Sequence, residues 1–297
     1  MNDKVSIITV NYNGVADTCE MIDSLKQHEN YPYELIVVDN GSASLNDYNL
    51  LKEKYPDVKV IRSDKNLGFA GGNNIGVKQA TGNLLFFLNN DTIITRPILE
   101  ILVNRLNSDE KIGCVSPKTT FWPQNNKLQY AGATKMSYIT LRNEFTGYLQ
   151  EDDGRFDTPQ ETAFANGAAM MIRTADIQKY GLMAEHYFLY YEELDWCSFM
   201  QKAGFSIWYE PQAVVGHKES ASVGLQSPLQ VYYHTRNRLI FAQRTLSNSF
   251  ERRCSYLYQI VIALPKRFLT YLCHRKFNLI TPLIKGGIDG IAFIINK

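Results

Sequence analysis

At 297 residues, with 45% hydrophobic and 21% charged content, the chain has the size and balance of one large α/β domain with an appendage and a full core. A formal net charge of +1 gives no global attraction to nucleic acid, so no nucleic-acid partner is expected. Cys19, Cys114, Cys197, Cys254 and Cys273 are scattered, odd in number and free of any C-x-x-C pair, which argues against a disulfide framework or zinc site and fits reduced thiols in the cytosol.

Met1-Asn2-Asp3-Lys4 leads directly into a strand, so no signal peptide is expected, and no uninterrupted apolar run approaches membrane-spanning length. The β-branched run Val5–Val10 predicts a first buried strand ending in the turn Asn11-Tyr12-Asn13-Gly14. Asp17 or Thr18 can then cap a helix carrying Met21, Ile22 and Leu25. Leu35–Val38 predicts a second strand, ending on Asp39-Asn40-Gly41-Ser42. A helix through Leu50 and Leu51 follows, then a third strand over Val58–Ile61. Asn66-Leu67-Gly68-Phe69-Ala70-Gly71-Gly72-Asn73-Asn74 reads as a loop opening a helix that runs through Ala80. The five apolar residues Leu84–Leu88 predict a fourth strand buried on both faces, stopping abruptly at Asn89-Asn90-Asp91.

This alternation predicts a parallel, doubly wound sheet. In such sheets ligands bind at the carboxyl ends of the strands, where Asn11, Asp39 and Asp91 fall. A dinucleotide-binding fold is excluded by position, because its glycine fingerprint belongs after the first strand and the glycines here follow the third. Asp91 beside amide oxygens offers hard ligands suited to Mg²⁺ or Mn²⁺ carried by a diphosphate. A polar turn followed by an N-cap is the alternative reading of Asn89-Asn90-Asp91-Thr92.

Taken together, Thr9–Asn13, Val37–Ser42, Asn66–Asn74 and Leu88–Asp91 resemble the successive motifs of family 2 glycosyltransferases with the GT-A fold. The resemblance extends to about residue 245 and is nearest the bacterial rhamnosyltransferase-like branch. It implies a GT-A α/β domain over 1–245, with a nucleotide-sugar half (1–95) and an acceptor and catalytic half (96–245). Its sheet would be doubly wound and mostly parallel, followed by a short helical segment over 246–297. The resemblance also implies inverting, metal-dependent transfer from a nucleotide diphosphate sugar, such as dTDP-rhamnose or a UDP-sugar. It matches Thr9, Asn11 and Asp39 to the base and ribose, and Asn66, Gly68 and Asn74 to a donor loop whose glycines bring backbone close to the ligand. Asn89, Asn90 and Asp91 match the D-x-D segment, with Asn89 replacing an acid, so that Asp91 and the diphosphate hold the metal between them.

In the second half, Ile98, Ile101, Leu102 and Leu106 predict an amphipathic helix, and Ile112–Pro117 a strand. Residues 118–161 lack clear periodicity, and the resemblance places the acceptor side there. In Tyr187–Cys197, three acids lie among aromatics, where apolar surroundings raise a carboxylate toward the range of a general base. An acidic first helical turn favoured by the helix dipole explains part of that pattern. The resemblance makes Glu193 the base that deprotonates the acceptor, and leaves Glu192, Asp195, Trp196 and Arg236 as acceptor or phosphate contacts. It sets His217, at another strand end, as a metal ligand, although a lone histidine is commonly structural. It reads 220–224 as a loop over the donor phosphates. From Arg252 to Lys297, eight bases face one acid, Asp289, with aromatics between them. Such a segment suits an anionic membrane surface or a helical pair packed on the domain. The combined expectation is a cytoplasmic transferase, peripheral on the inner face of the cytoplasmic membrane, acting on a glycan or lipid-linked acceptor. A non-catalytic nucleotide-sugar-binding scaffold is the rival reading.

Overall fold

The structure is a computed structural model describing residues 3–124, 126–218 and 227–296. The run Leu84–Leu88 shows how the layers form. Alternate side chains of a strand point to opposite faces. Here Leu84, Phe86 and Leu88 enter one core, while Leu85 and Phe87 enter another. A strand apolar on both faces needs helices above and below it, and the chain supplies them.

The first half comprises β1 (Val5–Asn11), α1 (Val15–His28), β2 (Tyr33–Asn40), α2 (Leu45–Lys54), β3 (Lys59–Ser63), α3 (Gly68–Gln79) and β4 (Leu84–Leu88). Strands β3, β2, β1 and β4 pair parallel in that order. The short β5 (Thr92–Ile93) and α4 (Leu99–Asn107) lead to β6 (Ile112–Phe121), β7 (Leu128–Tyr130), β8 (Gln160–Thr162) and β9 (Ala169–Arg173). Next come α5 (Ile177–Tyr180), α6 (Glu192–Lys202) and β10 (Ser206–His217). Antiparallel β9 stitches β4 to β6, and β10 lies parallel to β6, completing the order β3-β2-β1-β4-β9-β6-β10-β5. Met21, Ile22, Leu25, Leu51 and Leu102 cover one face; Ala70, Trp196, Cys197 and Met200 cover the other.

The glycine-rich segment differs from the expected loop, since α3 already begins at Gly68. Its glycines mainly let helix and sheet approach. A Cβ on Gly76 would lie 2.3 Å from Ile8 Cγ2, and one on Gly72 would lie 2.8 Å from Val10 Cγ1. Both contacts draw α3 onto β1.

The C-terminal helices are α7 (Pro228–Thr245), α8 (Ser249–Leu257), α9 (Leu264–Cys273) and α10 (Ile280–Ile295), with one π-helical stretch, Tyr258–Ala263, joining α8 to α9. The boundary expected at residue 245 falls between α7 and α8, yet helices on its two sides are packed together. A Cβ on Gly286 would lie 2.5 Å from Tyr232 O, and Tyr232 Oη donates to Asp289 Oδ2 at 2.6 Å. One expectation needs correcting. Phe277–Ile295, 19 residues, is long and apolar enough to cross a membrane by length and composition. Lys285 and Asp289 interrupt its apolar run, which is why no continuous stretch stands out in the sequence.

Candidate active site

Strand β4 ends at the sheet's carboxyl edge, and the turn after it places the buried Asp91 against the end of β10. There Asp91 Oδ1 stands 3.1 Å from His217 Nε2. The other ring nitrogen, Nδ1, faces Gln129 Oε1 at 2.6 Å. With Nδ1 donating to that oxygen, Nε2 turns its lone pair toward a carboxylate. A cation between two such acceptors, a proton or a metal ion, relieves their repulsion, and a histidine fixed through its second nitrogen is the usual arrangement behind a metal ligand. Among the described residues no group of three or more His, Cys, Asp or Glu converges to hold a metal. The pair therefore fits an ion that completes its oxygen shell with diphosphate and water. Asn89 contributes its backbone to the turn: its N–H donates to Ala168 O at 2.9 Å, and its carbonyl accepts from Thr92 Oγ1 at 2.7 Å. Asn90 differs from the expected donor contact. Its Nδ2 donates to Thr18 Oγ1 at 3.0 Å, clipping the turn to α1.

The ends of β1, β2 and β3 meet in one network. Asn11 Nδ2 donates to Asp39 Oδ1 at 3.1 Å, and Asn11 Oδ1 accepts from Thr18 Oγ1 at 2.9 Å. Arg62 pairs with Asp39 and donates to Ser42 O at 2.9 Å. The expected base and ribose contacts are all fully buried, Asn11 and Asp39 within this network and Thr9 with no hydrogen-bond partner for its hydroxyl. Arg62 is the partly exposed member at its surface. Asn66 lies just before α3, its Oδ1 accepting from Gly68 N at 2.8 Å and from Asn40 Nδ2 at 3.1 Å. Gly68 corrects the reading that its backbone approaches ligand. At φ +73° it approaches protein instead, since a Cβ there would lie 2.1 Å from Phe188 O. Phe69 N donates to that same carbonyl at 2.8 Å. The donor segment is thereby fastened to the loop carrying the acids. Asn74 is held from below: its Nδ2 donates to Met183 O and Glu185 Oε1, each at 2.9 Å.

That acid-bearing loop is strained. Phe188, Tyr190 and Tyr191 have φ of 68°, 67° and 78°, a left-handed conformation costly for bulky residues. Asn237 of α7 holds it, Nδ2 facing Tyr187 O, Leu189 O and Tyr190 O at 3.1, 2.8 and 2.9 Å. Arg236 donates to His186 O at 2.8 Å. Tyr190 stacks on His234 with ring centroids 4.4 Å apart. The loop delivers Glu192 and Glu193 to the first turn of α6. Glu192 is buried and its Oε2 has no partner. Burial, then the charge of Glu193, pushes its carboxyl well above the usual range. Glu193 is partly exposed beside Gly167, and desolvation raises its pKa too, against the opposing pull of the Glu193 and Leu194 amides. Two adjacent carboxyls in poor solvent favour one proton between them.

A consequence for stability follows from Glu192. A carboxyl whose pKa is raised by folding is neutral in the fold while the unfolded chain ionises normally. The stability it allows is complete below the unfolded value and declines as pH rises through the folded one. Glu192→Gln removes that decline. Its melting temperature is expected to exceed the parent's by about 2–4 °C at pH 8, with the gap closing near pH 4. Equal melting temperatures across that range in scanning calorimetry would refute a buried, unpaired acid.

Three further expectations are corrected. Trp196 is a core residue, edge-on to Phe87 at 5.3 Å with Nε1 donating to Gly181 O at 2.8 Å. Asp195 is buried, paired with Arg244 Nε at 2.9 Å and accepting from Tyr187 Oη at 2.9 Å. Arg236 spends its guanidinium on loop carbonyls. These side chains shape the acid loop from behind and leave acceptor or phosphate contacts to others. The expected phosphate loop at 220–224 lies outside the described residues. Sequence reasoning missed Arg62, Gln129 and Asn237. Arg62 had a signal, being in register with Asp39 across parallel β2 and β3.

The comparisons with known proteins agree with this geometry. The model of glycosyl transferase family 2 matches residues 6–181, more than half of the chain. A low-salt glycan biosynthesis hexosyltransferase of Haloferax volcanii is 26% identical over 298 residues, covering 98% of this chain and 92% of that protein. An N-acetylglucosaminyl-diphospho-decaprenol L-rhamnosyltransferase of Mycobacterium tuberculosis is 21% identical, covering 81% and 84%. Among solved structures, a Pyrobaculum calidifontis mannosyltransferase in complex with GDP-Man and Mn²⁺ superposes with a TM-score of 0.59 at 13% identity, over 98% of this chain and 88% of that one. GalNAc-T7 with UDP, GalNAc and Mn²⁺ superposes with a TM-score of 0.63 at 16% identity; this chain spans 56% of it. The sheet order, the carboxyl-edge site and the family match lead to one conclusion: the chain is a glycosyltransferase with the GT-A fold, a member of glycosyl transferase family 2.

Proposed function

We propose that the chain transfers a sugar, with inversion, from a nucleotide diphosphate sugar to a hydroxyl of a lipid-linked or glycan acceptor in cell-surface polysaccharide synthesis. The meeting of Asp91 and His217 at the carboxyl edge carries this reading, because residues far apart in sequence come within 3.1 Å of each other there. Asp91 and His217 would hold Mg²⁺ or Mn²⁺, and such an ion supplies Lewis-acid stabilisation of the departing diphosphate. Arg62, Asp39 and Asn11 close the nucleotide end. Glu193, ionised, takes the acceptor proton while that oxygen attacks the anomeric carbon opposite the diphosphate. The mycobacterial relative is named for an acceptor on a lipid diphosphate, which supports a lipid carrier here. Exposed Val261, Ile262, Leu269 and Leu272, with Lys266 and Arg275 on the same segment, support docking on the cytoplasmic face of an anionic membrane.

Asp91→Ala is the test of the metal. Its side chain closes a strand end and carries little of the core, so the fold should persist. Mn²⁺-dependent affinity for the donor nucleotide should fall by about ten- to a hundredfold in titration calorimetry. Unchanged metal-dependent binding would remove Asp91 from the metal site.

A further inference from the structure

Most of the half-buried bases in this protein face an acid. Arg62 pairs with Asp39, Arg105 with Glu210, Arg173 with Asp176, and Arg244 with Asp195. Buried Arg238 and half-buried Arg267 do not, and neither does Arg142, which is exposed. Among the described residues none of these three has a carboxylate partner at ion-pair distance. Arg238 and Arg267 line one crevice of about 10 Å³ between α7 and the α8–α9 helix, room for about one water, so an anion larger than that would sit at its mouth. The Tyr191 hydroxyl joins Arg238 to the third. It accepts from Arg238 Nε at 2.8 Å and donates to the carbonyl of Leu141, the neighbour of Arg142, at 3.0 Å. The three cations act on one another. Burial and then the charges of Arg238 and Arg142 push the Arg267 guanidinium down to about 10. Burial and then all three arginines hold His234 down to about 3, so that it adds no charge of its own.

Gathering guanidiniums without a counter-charge costs free energy that an anion recovers, and the planar fork of arginine matches phosphate oxygens. The position narrows the anion. On one side Tyr191 immediately precedes Glu192 and Glu193. On the other, the π-helical stretch exposes Val261 and Ile262, and α9 exposes Leu269 and Leu272. A phosphate held there would stand between the base and an apolar surface.

We infer that Arg142, Arg238 and Arg267 form a phosphate site, distinct from the Asp91–His217 pair, that binds the diphosphate of a polyprenyl-linked acceptor. This rests on the lipid-linked acceptor proposed above. The site orients the acceptor: its phosphates dock on the arginines, its lipid leaves along α9, and its sugar hydroxyl faces Glu193. Arg238 also supports Tyr191, so Arg142 and Arg267 are the positions to change.

The first experiment needs no turnover. Inorganic pyrophosphate is titrated into the full-length protein with EDTA present, which excludes metal-borne binding at the donor site. The parent should bind, and the double variant Arg142→Gln/Arg267→Gln should bind about ten- to a hundredfold more weakly. Arg142→Lys/Arg267→Lys should recover part of the loss, showing that charge at those positions matters and that the fold is intact. No binding by the parent, or equal binding by the Gln variant, overturns the site. The second experiment separates sources of phosphate by flotation with neutral phosphatidylcholine vesicles. One set contains a polyprenyl diphosphate, the other phosphatidylglycerol at matched charge. The Gln variant should lose the preference for polyprenyl diphosphate and keep phosphatidylglycerol binding through the remaining bases. Equal loss on both vesicles would make the cluster a general headgroup contact and overturn its assignment to the acceptor. Neither readout depends on transfer, so an error in the proposed reaction shows up separately, as pyrophosphate binding in a protein without transferase activity on polyprenyl-linked sugars.

Discussion

Glu193→Gln is expected to lower kcat by about two to four orders of magnitude and leave donor affinity unchanged. The amide keeps the size of the side chain and the first-turn contacts of α6 but accepts no proton. In the proposed reaction the donor is held elsewhere, at the ends of β1, β2 and β4. The pH dependence of the parent gives a second signature. A base works ionised, and desolvation holds the Glu193 carboxyl above its ordinary range. The acid limb of kcat should therefore have its midpoint above the usual carboxylate values near 4.3, with activity rising as pH rises through it. Because Glu192 and Glu193 are coupled, that midpoint belongs to the pair. Glu192 is held neutral in the fold and puts no charge on Glu193, so Glu192→Gln should leave the limb close to its parental position and should not abolish turnover. If Glu192→Gln is the more damaging change, the catalytic role belongs to Glu192. A comparable loss of donor binding in Glu193→Gln would mean that this carboxyl serves the nucleotide pocket.

The first half of the fold was legible because its signals are local. β-branched runs, each ended by polar residues, give strands whose carboxyl ends share an edge, and parallel pairing then gathers Asn11, Asp39 and Asp91. The glycine segment was misread in one respect. A run of glycines opens a loop or lets a helix lie close on a sheet, and only the position of Ile8 and Val10 beneath α3 decides between them. The Asp91–His217 pair required the resemblance, since nothing in the spacing of the two residues announces that β10 ends opposite β4. The resemblance assigns Trp196 and Asp195 to acceptor or phosphate contacts because they share the acid segment with Glu193. In the fold, helical spacing turns both to the interior, where Phe87 and Arg244 receive them. The apolar stretch Phe277–Ile295 was hidden by two charges, one of which, Asp289, is taken up by Tyr232.

Asn237 left no local signal, because its partners are carbonyls of a loop far back in the chain, and it carries the other large expected effect. Its amide faces three carbonyls of a segment in which Phe188, Tyr190 and Tyr191 are left-handed. Asn237→Ala removes those donors: Tyr187 O keeps only the longer bond from Arg236, and the part-buried Leu189 and Tyr190 carbonyls lose this partner, each at a cost of about 1 kcal/mol. The released loop should relax toward ordinary backbone conformations and carry Glu192 and Glu193 with it. A displacement of about 1 Å at a reacting group lowers rate by about a hundredfold, so kcat should fall by that order and KM for donor should stay close to the parent's. Loss of stability alone would follow from any buried polar deletion. The pH profile distinguishes positioning from mere support: as the acids gain solvent, the acid limb should move down toward the ordinary carboxylate range. Asn237→Asp is the stricter variant. It has the same shape, but it presents a carboxylate to three carbonyls, so it should be at least as damaging as alanine. A folded Asn237→Ala enzyme with parental kcat and an unmoved acid limb would show that the strained loop holds its own geometry and that Asn237 only stabilises α7.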